Sequence, residues 1–522
     1  MATRPPHARI ARMNGIATLV VDGHPFLLLG AQCDIWRSTR QDEKTVAFFD
    51  GFRQMNATAV SVGIPWSMIE PAKDAYDFRF LDWFVRQARA RGLRLVVNLF
   101  NTNVCGKVEE TSGSSAYPAY TPAYILSDPA TYTRMVLPSA WRYVSGGPPM
   151  CPNDPDTLER ERRLVARVAE HLRDTDTHRT VIMLQIDNEF YYQQWDGERP
   201  ASGSAEEKAV RCHCPYCEAR WASGGYASGE EFMFRSFADY VRVLTDSIAA
   251  IYRLPMYVNS PWWPPHIIPY FLDRCPNLDL VGIDGVLTPR EPNMLSLSQV
   301  GRNVPFAAEN PTENPEVRMN LDVLPYYTVV GRPGLGSLLW ESHAPHTVVD
   351  DPDARRRYAA ALYPIKHAQV PIARARGTGN LLAWYVLREV AAEVTTDVFG
   401  NFVPLRKSDR VVARARTFVR EGKQTRAVES DELTASLGEL TVGVSGSAAG
   451  IVVRRGPREL VLAVPGGRVT LGPVGAVQAE EGRFEADRWV AERPFAVQRV
   501  GSLVVFEVRE PAVIRVKYRP DP

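Results

Sequence analysis

No stretch of the sequence reaches the roughly 18 consecutive apolar residues that a membrane-spanning helix requires, although 45% of its 522 residues are hydrophobic. Net charge is nearly absent as well, at +1, so nothing points to nucleic acid or an anionic membrane as the main partner. Residues 1–14 carry basic side chains without the apolar run of a secretory signal. The apolar character of 19–29 is broken by Asp22, Gly23, His24 and Pro25, which read as a turn between two strands. The compartment expected from these absences is the cytoplasm. No glycine-rich phosphate loop of the G-x-G-x-x-G or Walker type follows a candidate strand, which argues against nucleotide binding. Internal repeats and low-complexity linkers are also missing.

What remains is the composition of an ordinary globular protein, with 23% charged residues and length for two or three domains. Forty prolines, 11 tryptophans and 20 tyrosines indicate many loops and aromatic surfaces, a balance that suits carbohydrate.

From residue 25 to about 342, short apolar runs alternate with amphipathic or polar stretches, the pattern of repeated βα units. Strands are expected at 26–29, 57–64, 93–100, 180–186, 256–259, 278–283, 305–308 and 336–340. The first helix has Thr39 or Asp42 as N-cap and Val46, Phe49, Phe52 and Met55 on one face. Further helices are expected at 80–91, closed by Gly92, at 158–172 and at 232–252. Eight strands favour a closed (β/α)8 TIM barrel, an α/β fold, over an open doubly wound sheet. Beyond about Leu387 the texture changes to short Val-, Leu- and Gly-rich runs at 440–444, 450–454, 459–464, 468–471, 503–508 and 512–516. That spacing is the signature of a C-terminal antiparallel β-sandwich. The expected domains are a catalytic barrel over 1–395, with a short N-terminal β extension, and the sandwich over 396–522.

The chemistry concentrates where the fourth strand ends. Six largely apolar residues, 181–186, run into Asp187, Asn188 and Glu189, at the strand tip where such barrels do their chemistry. Glu309 follows the seventh strand, on the same rim. Two carboxylates facing across a barrel mouth are what glycoside hydrolysis requires: one protonated to release the leaving oxygen, one ionised at the anomeric carbon. Asn188 is placed to hold the sugar 2-hydroxyl.

With Gln185-Ile186-Asp187-Asn188-Glu189 at strand four and a lone glutamate after strand seven, the chain resembles the retaining barrel glycosidases of clan A. Within that clan it resembles the β-galactosidases of glycoside hydrolase families 42 and 35. Residues 30–39 are similar to the family 35 strand-one motif, matching best at Arg37, Ser38 and Thr39. Residues 60–71, with Trp66, Glu70 and Pro71, fit the strand-two motif of both families. The resemblance spans roughly 20–345 and implies that Glu189 is the general acid/base and Glu309 the nucleophile of a double displacement. Glu313 and Glu341 are the rival carboxylates, the first expected on the loop and the second at sugar hydroxyls. The chain departs from family 42 in having Ser61 and Gly63 where an Arg commonly lies on strand two, and in lacking room for that family's middle trimerisation domain.

Cys212, Cys214 and Cys217 form a C-x-C-x2-C cluster in a polar loop, which suits a tetrahedral zinc site in need of a fourth ligand. Cys105, in the loop after strand three, is the expected fourth, with His213 or reduced free thiols as the alternatives. The combination is similar to the structural zinc cluster of many family 42 enzymes. Cys275 reads as a packing residue, Cys151 as a loop thiol and Cys33 as a rim residue. Four protein ligands leave no open position for catalysis, and no organic cofactor is expected. Around the rim, Trp36, Trp66, Tyr257, Asn259, Trp262, Trp263 and Trp340 are candidates for a sugar pocket, and Arg37 for orienting a carboxylate or a hydroxyl. The expected activity is retaining exo-β-glycosidase action on small imported oligosaccharides or glycosides, most simply β-galactosides. The same machinery on another β-linked sugar, transglycosylation, and a catalytically silent carbohydrate-binding barrel stay open, as does a homo-oligomer.

Overall fold

The computed structural model describes residues 7–33, 41–101, 119–136, 149–188, 211–260, 267–284, 295, 298–312, 314–341, 347–390, 413–421, 424–428 and 432–519. The chain begins as a small antiparallel sheet, β1 (Ala8–Met13), β2 (Ile16–Val21) and β3 (His24–Phe26). Its two hairpins turn at Asn14-Gly15 and Asp22-Gly23, all four residues at positive φ. Those are the residue pairs that tolerate the left-handed turn a twisted hairpin needs.

Eight parallel strands then close into a barrel in chain order: β4 (Leu28–Cys33), β5 (Ala59–Pro65), β6 (Arg94–Phe100), β7 (Val181–Ile186), β8 (Met256–Ser260), β9 (Leu280–Asp284), β10 (Phe306–Pro311) and β11 (Gly336–Glu341). Closure is made by β11 against β4, with Gly336 opposite Leu28 and Glu341 opposite Cys33. Most strand residues are buried on both faces, which is why they read as continuous apolar runs. The first strand lies further along than the expected 26–29, because Gly30-Ala31-Gln32 continues it rather than ending it. Gly30 is required there: a Cβ would collide with the Ala59 carbonyl of the neighbouring strand.

Outside the barrel, α1 (Glu43–Gln54) is capped by Asp42, whose carboxylate accepts from the Thr45 amide at 2.9 Å. It buries Phe48, Phe49 and Phe52, with Phe48 rather than Val46 completing the inner face. The helix α2 (Arg79–Ala90) stops just before Gly92 at φ 66°. Asp154 and Ser228 cap α3 (Pro155–Thr175) and α4 (Gly229–Ile251).

The C-terminal region is a β-sandwich of an eight-stranded and a five-stranded sheet. Alternating burial along Glu432–Leu437 and Leu440–Ser445 marks sheets with one face in the core. The strand Leu381–Val390, counted with the barrel when the boundary is drawn at 395/396, hydrogen-bonds to Ala413–Glu421 and Ala449–Gly456 and so lies within the sandwich. Two helices, α5 (Pro352–His367) and α6 (Gln369–Ala375), sit between the units. The barrel core runs on without a break through Tyr358, Ile365 and Ile372 into Ile451, Val461 and Val513 of the sandwich. The two units therefore pack directly on one another. Among the described residues no helix is long and apolar enough to cross a membrane.

Candidate active site and thiol cluster

The C-terminal ends of the barrel strands carry polar side chains that converge on Glu309. Ser61 Oγ on β5 donates to Asn98 Oδ1 on β6 at 2.9 Å, and Asn98 Nδ2 donates to Gln32 Oε1 on β4 at 2.8 Å. Gln32 Nε2 then donates to Glu309 Oε1 on β10 at 2.7 Å. From the opposite side, Gln185 Nε2 on β7 donates to Asn188 Oδ1 at 2.9 Å and to Asn259 Oδ1 on β8 at 3.0 Å. Asn259 Nδ2 lies 2.7 Å from Asp284 Oδ2 on β9, 3.1 Å from Asn188 Oδ1 and 3.4 Å from Glu309 Oε1. All of these side chains are buried. Seven of the eight strands, or the residue just beyond one of them, thus feed a single network.

Glu309 is 8% exposed, and burial pushes its carboxyl up to about 7 against the pull of the Gln32 hydrogen bond. Its ionisation is therefore balanced near neutrality, the range in which a carboxyl can be switched by a substrate. Tyr257, fully buried on β8, donates to Asn98 Oδ1 at 3.3 Å. Burial first, then the charges of Glu309 and Asp284, hold its phenol far above the ordinary tyrosine range, so it stays a neutral donor.

The other expected site residues divide. Asn188, Asn259 and Tyr257 join the Glu309 network. Glu341, fully buried, accepts from the Val348 and Val349 amides at 2.9 and 3.4 Å and so anchors the segment that follows β11. Trp340 is half-buried on the same strand. Trp66, expected at the sugar, has no exposed surface: its Nε1 donates to Glu70 Oε2 at 2.8 Å. Glu70 also accepts from the Asp74 amide and pairs with Arg160, so Trp66 belongs to a buried ionic knot beneath the rim. Glu189, Arg37, Trp36, Trp262, Trp263, Glu313 and Cys105 lie outside the described residues.

Gln32, Ser61, Asn98, Gln185 and Asp284 were not among the residues expected from sequence. The signal was available: each is a polar residue inside or ending an otherwise apolar, fully buried strand, where an unpaired amide or hydroxyl costs free energy. At the strand-two positions where family 42 commonly has Arg, Ser61 enters the network. Gly63 leaves room for the Phe100 ring, which a Cβ would strike.

A second cluster lies outside the barrel mouth. Cys151, Cys212, Cys214 and Cys217 are buried with all four sulfurs within 4.8 Å of one another. Cys151 Sγ lies 3.4 Å from the sulfurs of both Cys214 and Cys217. Tetrahedral zinc at about 2.3 Å from each thiolate would hold them about 3.8 Å apart. The sulfurs accept from backbone amides of Val136, Asn153, Cys214 and Cys217 at 3.3–3.5 Å. Hydrogen bonding among the four, led by Cys151, holds Cys214 far below the ordinary thiol. Among the described residues the fourth sulfur of the cluster is that of Cys151, which is therefore not an isolated loop thiol; Cys105, the expected fourth, lies outside them. His213 is turned to Glu218, with Nδ1 2.7 Å from Oε1. Cys275 packs as expected, with Sγ donating to the Ala238 carbonyl at 3.1 Å.

A barrel whose strand tips gather a buried carboxyl among amides belongs to the architecture of barrel enzymes. Residues 36–222 match the family model Glyco_hydro_42, described as Beta-galactosidase. The resemblance to family 42 is thereby borne out over that stretch. Among solved structures it is similar to the cold-adapted β-galactosidase from Rahnella sp. R3, at 16% identity and TM-score 0.44, over 67% of this chain and 57% of that one. A β-galactosidase from Halorubrum lacusprofundi aligns at 16% identity and TM-score 0.41, over 66% and 58%. Endo-glycoceramidase II from Rhodococcus sp. aligns at 14% identity and TM-score 0.42, over 96% and 98%. The chain spans less than two-thirds of the length of the two β-galactosidases. No curated protein matches the sequence.

Proposed function

We propose that the chain is a retaining exo-β-glycosidase acting on terminal β-galactosides. The observation that carries this is Glu309, buried in the C-terminal half of β10 and addressed by Gln32 and Asn259, with Asn188 in the same network and Glu189 next in sequence. In the first step Glu189 gives its proton to the glycosidic oxygen while a Glu309 oxygen attacks the anomeric carbon. The C–O bond to the aglycone breaks and an ester to Glu309 forms. In the second step Glu189, now ionised, takes a proton from water, which attacks the same carbon and releases Glu309. Gln32 and Asn259 donate to the carboxylate and so favour its charged form in free enzyme. Asn188 is the residue we assign to the sugar 2-hydroxyl.

The thiol cluster is proposed as a structural zinc site with ligands Cys151, Cys212, Cys214 and Cys217, its four positions filled by protein. Reduced, buried thiols of this kind fit a cytoplasmic protein.

A panel of nitrophenyl glycosides tests the reading, with the β-galactoside expected to turn over fastest. Glu309→Gly should abolish turnover and regain activity with added azide. Activity on none of the β-anomers, or normal rates in that variant, would sink the assignment.

A further inference from the structure

Behind the site, α3 and α4 bring two more side chains to the tip of β7. Asp187 sits there with φ 58°, a left-handed conformation uncommon for a residue with a Cβ. Its own carboxylate holds it in place: Oδ1 accepts from the backbone amides of Asn188 at 2.8 Å and Asn101 at 3.1 Å. The other oxygen, Oδ2, is 3.1 Å from the Tyr240 hydroxyl of α4. The same hydroxyl lies 2.8 Å from Oε1 of Glu161 on α3. All three side chains are buried, Asp187 completely and Glu161 and Tyr240 to within 2%.

A hydroxyl carries one hydrogen, and an ionised carboxylate can only accept. Two carboxyl oxygens at hydrogen-bonding distance from one hydroxyl therefore need a second proton among the three groups. We assign the charge to Asp187, because its Oδ1 accepts from two backbone amides and those bonds favour the ionised form. Glu161 has burial against its charge, with Asp187 as the charged neighbour repelling it, and both push its carboxyl well above the ordinary range.

We propose that Glu161 is a neutral carboxylic acid that donates its proton to Tyr240, which donates in turn to Asp187, and that this relay is a positioning device. It locks the Asp187 turn, which aims Asn188 into the Glu309 network. None of the three touches substrate. The inference rests on the glycosidase reading of Asn188, Glu189 and Glu309, but the proton count does not.

The test uses the full-length protein, its Glu161→Gln, Tyr240→Phe and Asp187→Asn variants, infrared spectroscopy and steady-state kinetics. At pH 8.5 Glu309, raised only to about 7, is ionised. A protonated-carboxyl C=O band should remain in the wild type and vanish in Glu161→Gln. Because an amide copies the neutral acid's donor and acceptor, Glu161→Gln should keep kcat within about threefold, while Tyr240→Phe and Asp187→Asn lose about 10- to 100-fold in kcat with KM little changed. Absence of the band overturns the proposal. So does a loss in Glu161→Gln as large as in Asp187→Asn, or a loss in the variants confined to KM. If the wild type cleaves no β-glycoside, the glycosidase reading fails and the infrared band alone decides the relay. The wild-type band also decides it should Asp187→Asn not fold.

Discussion

Replacing Glu309 by Gln sets the chemistry of the barrel against its stability. The Glu309 carboxyl is raised from 4.5 to about 7, with burial the leading cause and the Gln32 hydrogen bond acting the other way. In an unfolded chain the same group ionises near its ordinary value, so between 4.5 and 7 the native state holds a proton that the unfolded state has lost. Stability therefore falls as pH rises through that window, and the fall is complete above about 7. A displacement of that size corresponds to about 3 kcal/mol of destabilisation at alkaline pH. Since the group is buried, solvent screening removes little of it, and imperfect fit of the amide into the network reduces the gain to about 1–3 kcal/mol. Glu309→Gln is thus expected to abolish turnover, to match the wild type in stability near pH 4.5, and to exceed it by that amount at pH 8.5. Urea unfolding followed by tryptophan fluorescence at the two pH values measures the gap. A variant no more stable than the wild type at pH 8.5, or a gap that does not change with pH, would refute the reasoning.

Three other outcomes follow from the same geometry. Cys151→Ser should lose bound zinc and unfold more readily, while Cys105→Ser keeps its zinc; metal analysis of the purified proteins separates them, and the reverse pattern would restore Cys105 as the ligand. Glu70→Ala should cost about 3–5 kcal/mol, because it leaves the buried Arg160 guanidinium without the carboxylate it pairs with inside the knot; a loss under 1 kcal/mol in denaturant titration would show that Asp74 and solvent compensate. The rate at low substrate should fall about tenfold for each pH unit below about 7, since attack needs ionised Glu309; a pH profile flat from 7 down to 5 would remove Glu309 from the nucleophile's role.

The parts of the fold buried on both faces were legible, because burial leaves a one-letter trace: all eight barrel strands were expected within a few residues of where they lie. The hairpin Val477–Glu485 and Arg488–Pro494 left no such trace. Its residues mix charged, small and apolar side chains, and its second strand is mostly exposed, so neither an apolar run nor a clean alternation marks them. In the site, Glu309, Asn188, Asn259 and Tyr257, expected at or near strand ends, lie on or just beyond β10, β7 and β8. Gln32 and Asn98 were passed over because a polar residue within a strand looks like an interruption until its partners on the neighbouring strands are known. Trp66 misled for the opposite reason: an aromatic at a strand tip reads the same whether its ring faces the pocket or the core. Cys151 and Cys105 both lie in loops well before the C-x-C-x2-C cluster, and sequence alone does not say which loop folds back onto it.

The central claim is that Glu309 forms the covalent bond to the sugar. A slow 2-deoxy-2-fluoro β-galactoside with a good leaving group, incubated with the enzyme and followed by peptide mass spectrometry, tests it most directly. The account predicts one sugar per chain, attached to the peptide at Glu309 and absent from Glu309→Gln. Labelling at Glu341 or Glu313, or turnover of galactosides with inverted product and no adduct, would contradict it.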